Sequence, residues 1–332
     1  MGLLYYLNKN EIMKRGKKMK KLLSLLTAIM LLFTFTACEK DTSSASYTVG
    51  LLQLVEHPSL DEIRGAIIDE LAAQGYADTI YIDYANGQND GSTMNTIVQK
   101  FISDGDDAII TIATSAAQCA ASATSEIPII FSAVTDPVES DLMSDLNKPD
   151  GNVTGVSDYI DVAAIFSLAE ELTPDVKSYG FVYNMGEVNS VSVINDAKAY
   201  LTEKNIPYVE AYVTNIGEVT TAVQSLVGKV DAFFLPIDNT VASAMSNVAE
   251  IANENKIPVY VAADSMVYDG GLATAGINYK QLGKQTADML IRILIEGEAI
   301  ADNPVEVMTE YSIIVNPETA ATIGVDVSKY TE

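Results

Sequence analysis

Four apolar runs of strand length in this chain each end in a small cluster of polar side chains. Thr114 and Ser115 follow 108–113, Thr135 and Asp136 follow 128–131, Asn184 follows 179–183, and Asp238, Asn239 and Thr240 follow 230–236. In a parallel α/β sheet such ends line one edge, where helix N-termini offer free N–H groups and ligands sit. The pattern advertises a polar binding cleft. Ser157 and the carboxylate of Asp264, at two further strand ends, extend the same set. Thr114 and Ser115 open a helix, so they suit an anion, while Asp238 at the lip of a second strand suits a cation through a charge-assisted bond. Plain N-capping is the competing role for both.

Covalent chemistry has little to work with. His57 is the one histidine, directly after the first strand, and would be the general base of any hydrolase. No Gly-x-Ser-x-Gly elbow, Walker loop or zinc spacing accompanies it. No enzyme activity, cofactor or metal is expected, and His57 with Pro58 reads as a loop that gates or contacts ligand.

The elements that must position these groups follow a βα rhythm. Leu60, Ile63, Ile67 and Leu71 mark a helix closed by Gly75, and Met94, Ile97, Val98 and Phe101 mark the next. Strands are expected over 47–55, 79–84, 108–113 and 127–131, with a helix over 115–123. The rhythm breaks at 142–155 and restarts with helix 162–172, strand 179–183, helix 191–204, strand 207–213, helix 217–227, strand 231–235, helix 240–255 and strand 258–261. A long helix over 279–296, extended segments over 305–315 and a short helix over 317–323 close the chain. The fold class expected is α/β, two doubly wound parallel-sheet lobes joined by a hinge. Lobe 1 would take 47–156 plus about 278–302, and lobe 2 would take 157–277 plus about 303–332. Three crossings would then form a hinge beneath a central cleft.

Residues 1–37 stand apart as an N-terminal extension and export signal. Lys20 and Lys21 precede an apolar stretch over 22–35, too short for the roughly 20 residues that span a bilayer. The order Phe35, Thr36, Ala37, Cys38 resembles the bacterial lipobox, in which the cysteine is lipidated, with Phe35 in place of the usual Leu. Residues 38–46 would be a lipidated tether, and the protein would sit outside the cell, anchored to the membrane by lipid. Cys119 then has no partner for a disulfide. The formal charge of −25 excludes a phosphate-backbone partner, and no basic cluster opposes it, so no nucleic acid is expected. With 332 residues and 48% hydrophobic content, the chain can bury a full core.

Several segments together resemble one family, the ABC-transporter substrate-binding proteins of the tryptophan/tyrosine type, with the type I periplasmic-binding fold. They are 50–53 ending in Gln53, His57-Pro58 with Gly65, 112–118, 131–137, 152–158, Tyr183-Asn184 with Glu187, Asn189 and Ser190, 236–240, and 270–274 with Gly276 and Tyr279. The resemblance implies capture of tryptophan, tyrosine or phenylalanine between closing lobes and delivery to ABC permease subunits. Gln53, His57, Thr114, Ser115, Thr135, Asp136, Ser157, Tyr183, Asn184, Asp238, Asn239, Thr240 and Asp264 would then touch ligand. Tyr183, Tyr159, Phe131 or Tyr279 would have to supply stacking, because the chain has no Trp. A sugar, nucleoside or vitamin precursor on the same fold, a surface-tethered hydrolase and a ligand-sensing module stay open as alternatives.

Overall fold

A computed structural model describes residues 46–309 and 311–331 of the chain. The export signal, Cys38 and nearly all of the tether lie outside the described residues.

The first half is built on β1 (Tyr47–Gln53), β2 (Ile80–Asn86), β3 (Ala108–Ile112), β4 (Ile129–Ser132) and β5 (Val153–Ser157). Helices α1 (Pro58–Ala73), α2 (Gly91–Asp104) and α3 (Thr114–Ala123) alternate with the first four strands. Every residue of β3, β4 and β5 is buried. Strands covered on both faces read as continuous apolar runs, which is why β3 and β4 stand out in the sequence, whereas β5, with Thr154, Gly155 and Ser157, lies where the sequence rhythm breaks. Gly155 is required where β5 lies against β4: a Cβ there would stand 2.1 Å from the Phe131 carbonyl oxygen.

The second half repeats the plan with α4 (Val162–Leu172), β6 (Tyr179–Asn184), α5 (Val188–Glu203), β7 (Tyr208–Val213), α6 (Ile216–Leu226) and β8 (Ala232–Leu235). It continues with α7 (Asn239–Ala242), α8 (Met245–Glu254), β9 (Val259–Val261), α9 (Asp264–Tyr268) and β10 (Ala273–Gly276). The single helix expected over 240–255 is broken in two, because Ser243 turns its hydroxyl back onto the Asn239 carbonyl at 2.7 Å and Ala244 leaves helical geometry. An aromatic cluster fills the space between α4 and the second sheet, with the Phe166 ring 5.0 Å from those of both Tyr179 and Phe234.

The closing segments are α10 (Tyr279–Leu294), β11 (Glu306–Val307), β12 (Ser312–Val315) and α11 (Pro317–Ile323). The first sheet runs β11-β5-β4-β3-β1-β2 and the second β12-β10-β9-β8-β6-β7. All pairings are parallel except β10 with β12. The chain therefore passes between sheets after Ser157, after Gly276 and between Val307 and Ser312. The last passage corrects the expected return near residue 303: β11 still pairs with β5, through Glu306 opposite Val156. Helix α10 belongs with the first sheet, since Ser132 of β4 and Thr286 share a hydroxyl bond of 2.7 Å. It packs so closely on α1 that a Cβ at Gly283 would stand 2.6 Å from the Ile63 carbonyl.

Candidate functional site

In the first half the sharpest feature is the turn from β3 into α3. Ala113 holds φ 83° and ψ 158°, a conformation an L-residue adopts only under constraint, and such strain collects at binding sites. It swings Thr114 into the first helical position, where the residue is buried and its hydroxyl has no partner. Ser115 beside it is half-buried. Thr114 and Ser115 thus stand at the positive end of a ten-residue helix.

The neighbouring strand ends are tied up in the frame. Thr135 donates its hydroxyl to Asp158 at 2.8 Å, and Ser157 donates to the Thr135 carbonyl at 3.1 Å. Burial pushes the Asp158 carboxyl up to about 6, and burial together with the Asp158 charge holds the Tyr279 hydroxyl well above its ordinary range. These groups lock the first two inter-sheet passages together. Gln53 is equally engaged: it donates to Asp61 at 2.8 Å and accepts from Arg64 at 2.7 Å, while Arg64 also donates to the Tyr84 hydroxyl and lies over its ring.

In the second half the controlling residue is Glu187, one of a polar group with Asn184, Asn189 and Ser190 at a helix start that suits a loop closing over ligand; here it is bonded inward to Asn239 and Thr240 instead. Its carboxylate is buried at the start of α7. One oxygen accepts from the Thr240 N–H at 2.9 Å and its hydroxyl at 2.7 Å, and the other from the Asn239 N–H at 2.9 Å and its side-chain amide at 2.7 Å. Asp238 caps the same helix, accepting from the Val241 N–H at 2.8 Å and from the Asn184 N–H at 2.6 Å. Burial first, and then the charge of Glu187, push the Asp238 carboxyl up to about 7. Asn184 also donates to the Thr240 hydroxyl at 2.9 Å. Asn189 and Ser190 both donate to the Ile237 carbonyl, leaving the Asn189 oxygen buried without a partner. Asp238, Asn239, Thr240 and Asn184 thus form one knot around two carboxylates.

The two halves meet directly. His57 Nε2 lies 3.1 Å from Asn239 Oδ1, Ser192 donates to Asp136 at 3.1 Å, and the Ser59 and Ser265 hydroxyls bond to each other. A gap of about 20 Å³ remains between His57, Leu60, Asp238, Met266 and Tyr279, the space of roughly one water. A wider opening of about 220 Å³ lies between Asp136 and Glu139 on one side and Ser192 and Asp196 on the other. Burial and the nearby Asp136 charge raise the Asp196 carboxyl above its ordinary value. Burial lowers His57, against the opposing pull of its Asn239 bond and of Asp61, Glu187 and Asp269.

The Tyr183 ring differs from its expected place, whereas Asp264 does follow the end of β9 as expected. The Tyr183 hydroxyl donates to Glu210 on β7 at 2.7 Å, and its ring stands edge-on to Tyr212 within the second-half core, so it offers no wall to the cleft. Tyr183 and Glu210 instead form a small outer network with Lys198. Asp264 opens α9, accepts from the Ser265 N–H at 2.7 Å and is pushed up to about 6 by burial. Of the proposed stacking walls, Phe131 and Tyr279 are fully buried and Tyr159 is exposed. Among the described residues no three His, Cys, Asp or Glu side chains converge as metal ligands. Cys119 is half-buried, and burial raises its thiol.

With this geometry in hand, the chain matches over residues 48–330 the family described as ABC transporter substrate binding protein. A tyrosine-binding protein of Clostridioides difficile (strain R20291) is 42% identical over 317 residues, which cover 91% of this chain and 92% of the relative. A Streptococcus pneumonia protein crystallised in complex with L-Trp superimposes with a TM-score of 0.82 at 38% identity, covering 85% of this chain and 96% of the other. A ligand-free, open substrate binding protein with adhesive properties from Clostridium difficile is 41% identical, with a TM-score of 0.67 over 84% of this chain and 95% of the other.

Proposed function

This chain belongs to the ABC transporter substrate-binding proteins, and from that premise we propose that it captures an aromatic amino acid between its halves and hands it to a membrane permease. The observation that carries the reading is the direct bonding of polar side chains between the two halves: His57 to Asn239, Asp136 to Ser192 and Ser59 to Ser265. A ligand that touches both halves binds the closed arrangement better than the open one, and so shifts the population toward closure. A permease that reads the closed surface then receives loaded protein only.

The amino-acid part draws on the relatives, one named for tyrosine and one crystallised with L-Trp. The residues support it. Arg64 is held by Gln53, Asp61 and Tyr84, and Arg292 by Asn303 and Glu306, so neither arginine after Cys38 is free to take a carboxylate. The start of α3, with the unpartnered Thr114 hydroxyl, offers a site for the carboxylate in the first half. Anchoring by lipid at Cys38 belongs to the same proposal and would keep the domain at the membrane surface beside its permease.

Titration calorimetry of the soluble domain, unfolded and refolded to remove carried ligand, tests the reading against all amino acids. Heat is expected from tyrosine, tryptophan or phenylalanine. Because the protein has no Trp, indole fluorescence reports bound tryptophan without background. Absence of heat from every amino acid would sink the proposal. Mass spectrometry of the membrane-extracted protein tests the lipid at Cys38 separately.

A further inference from the structure

Asn239 dictates which nitrogen of His57 carries its proton. The Glu187 carboxylate only accepts, and it takes the Asn239 side-chain NH2 at 2.7 Å. The atom that Asn239 presents to His57 is therefore its oxygen, 3.1 Å from Nε2. An amide oxygen cannot donate, so Nε2 must. The other nitrogen, Nδ1, is buried and has no partner. The ring lines the gap between the halves together with Ser59, Leu60, Asp238 and Met266.

A bare lone pair buried at a closing cleft asks for a donor. We infer that His57 Nδ1 is a specificity-determining acceptor, which takes a hydrogen bond from a donor group of the bound amino acid and selects against ligands lacking one there. This rests on the amino-acid reading above. Such a ligand offers two kinds of donor, its ammonium group and the phenol or indole of its ring, and both share the chemistry that Nδ1 requires. Discrimination arises because a ligand without the donor leaves a buried acceptor unpaired, which is costlier than losing a bond in water.

Protonation of His57 would turn the acceptor into a second donor. The charged groups acting on the ring are the carboxylates of Asp61 of α1, Glu187 before α5 and Asp269 after α9, while the nearby Asp238 carboxyl before α7 is itself pushed up to about 7. The three carboxylates favour the proton, yet burial outweighs them and holds the ring below its ordinary value. Burial of the ring between the halves therefore favours its neutral form. Affinity should fall as the pH drops below the ordinary histidine range, by at most about tenfold per pH unit.

His57 is the chain's one histidine, so long-range proton–nitrogen correlation spectra of the nitrogen-15-labelled domain show a single imidazole. With saturating tyrosine or tryptophan, Nε2 should carry the proton, and Nδ1 should be bare and displaced from its ligand-free position. A Glu187→Gln variant, which frees the Asn239 amide to turn, should show mixed tautomers. An affinity cycle supplies the second readout. In the native protein the des-amino acid, or phenylalanine in place of tyrosine, should bind about tenfold more weakly, and in His57→Phe one of these penalties should vanish. Loss of the ammonium penalty identifies that group as the donor, and loss of the ring penalty identifies the phenol. A protonated Nδ1 in the complex, an Nδ1 unmoved by a ligand that gives heat, or two penalties unchanged in His57→Phe would overturn the inference and leave the amino-acid reading standing. If no amino acid gives heat, both fall together.

Discussion

Replacing Glu187 by Gln keeps the side chain's size and removes its charge. Four short donors converge on this carboxylate, the N–H groups of Asn239 and Thr240 at 2.9 Å and the Asn239 amide and Thr240 hydroxyl at 2.7 Å, with the Asn189 amide more distant at 3.4 Å. Gln offers one acceptor oxygen and one NH2, so two of the four would face a donor. Hydrogen bonds to a charged partner contribute about 1.5–3 kcal/mol, and each buried donor left alone costs about 1–3 kcal/mol. Relief of Asp238 works in the other direction. That carboxyl is pushed up to about 7 by burial and by the Glu187 charge, and freeing it from its neighbour returns about 1 kcal/mol. The net loss expected is about 2–4 kcal/mol, a large share of a domain's whole stability. Urea unfolding of the ligand-free domain measures it as a lower midpoint at unchanged slope. The pH dependence gives a second readout. Native protein keeps a proton on Asp238 between the ordinary carboxyl range and about 7, where the unfolded chain does not. The native state then binds more protons, so stability falls as pH rises through that window, by at most about 1.4 kcal/mol per unit. In Glu187→Gln the window narrows and the fall is smaller. A loss under about 1 kcal/mol, or an unchanged pH slope, would refute the reasoning.

Thr114→Val removes a buried hydroxyl that has no partner; unfolding should show equal or slightly greater stability, by up to about 1 kcal/mol, while calorimetry shows weaker amino-acid binding. Equal affinity would remove Thr114 from the ligand. Gly155→Ala places a methyl 2.1 Å from the Phe131 carbonyl oxygen, so β4 and β5 cannot keep their spacing; a loss of about 3 kcal/mol or more is expected, and a native Tm would contradict it. Tyr183→Phe frees Glu210, which still pairs with Lys198 at 3.2 Å; stability should drop by about 0.5–1.5 kcal/mol with ligand affinity unchanged, and an affinity change beyond about threefold would return Tyr183 to the cleft.

The buried strands were readable because both their faces are apolar, but the same property hid which way a given side chain points. Tyr183 is next to last in a strand buried nearly throughout, so nothing in its neighbours separates a cleft-facing ring from one turned to Glu210. The third passage between sheets was misplaced because β11 is two residues long, Glu306 and Val307, with no apolar run to announce it. Thr114, Asp238 and Asn239 stood out through their positions at strand ends and helix starts. Glu187 occupies the same kind of position as an ordinary solvent-facing cap. Its work lies instead on a helix 52 residues further along the chain, and no local pattern encodes that. The strained Ala113 was invisible for a related reason, since a positive φ is announced in sequence by Gly, Asn or Asp and alanine gives no such sign.

The order in which the first half acquires its parts has a consequence for how the chain is made. Helix α1 is covered by α10, and β5 is flanked by β11, yet both late pieces follow residue 278. A growing polypeptide that has finished its first five strands still exposes the apolar face of α1 and one edge of β5. No N-terminal fragment stopping before α10 can bury that surface, so truncations there should be captured by chaperones or degraded. The same delay postpones compaction until nearly the whole polypeptide is available, the state in which a chain can still be threaded through a narrow pore.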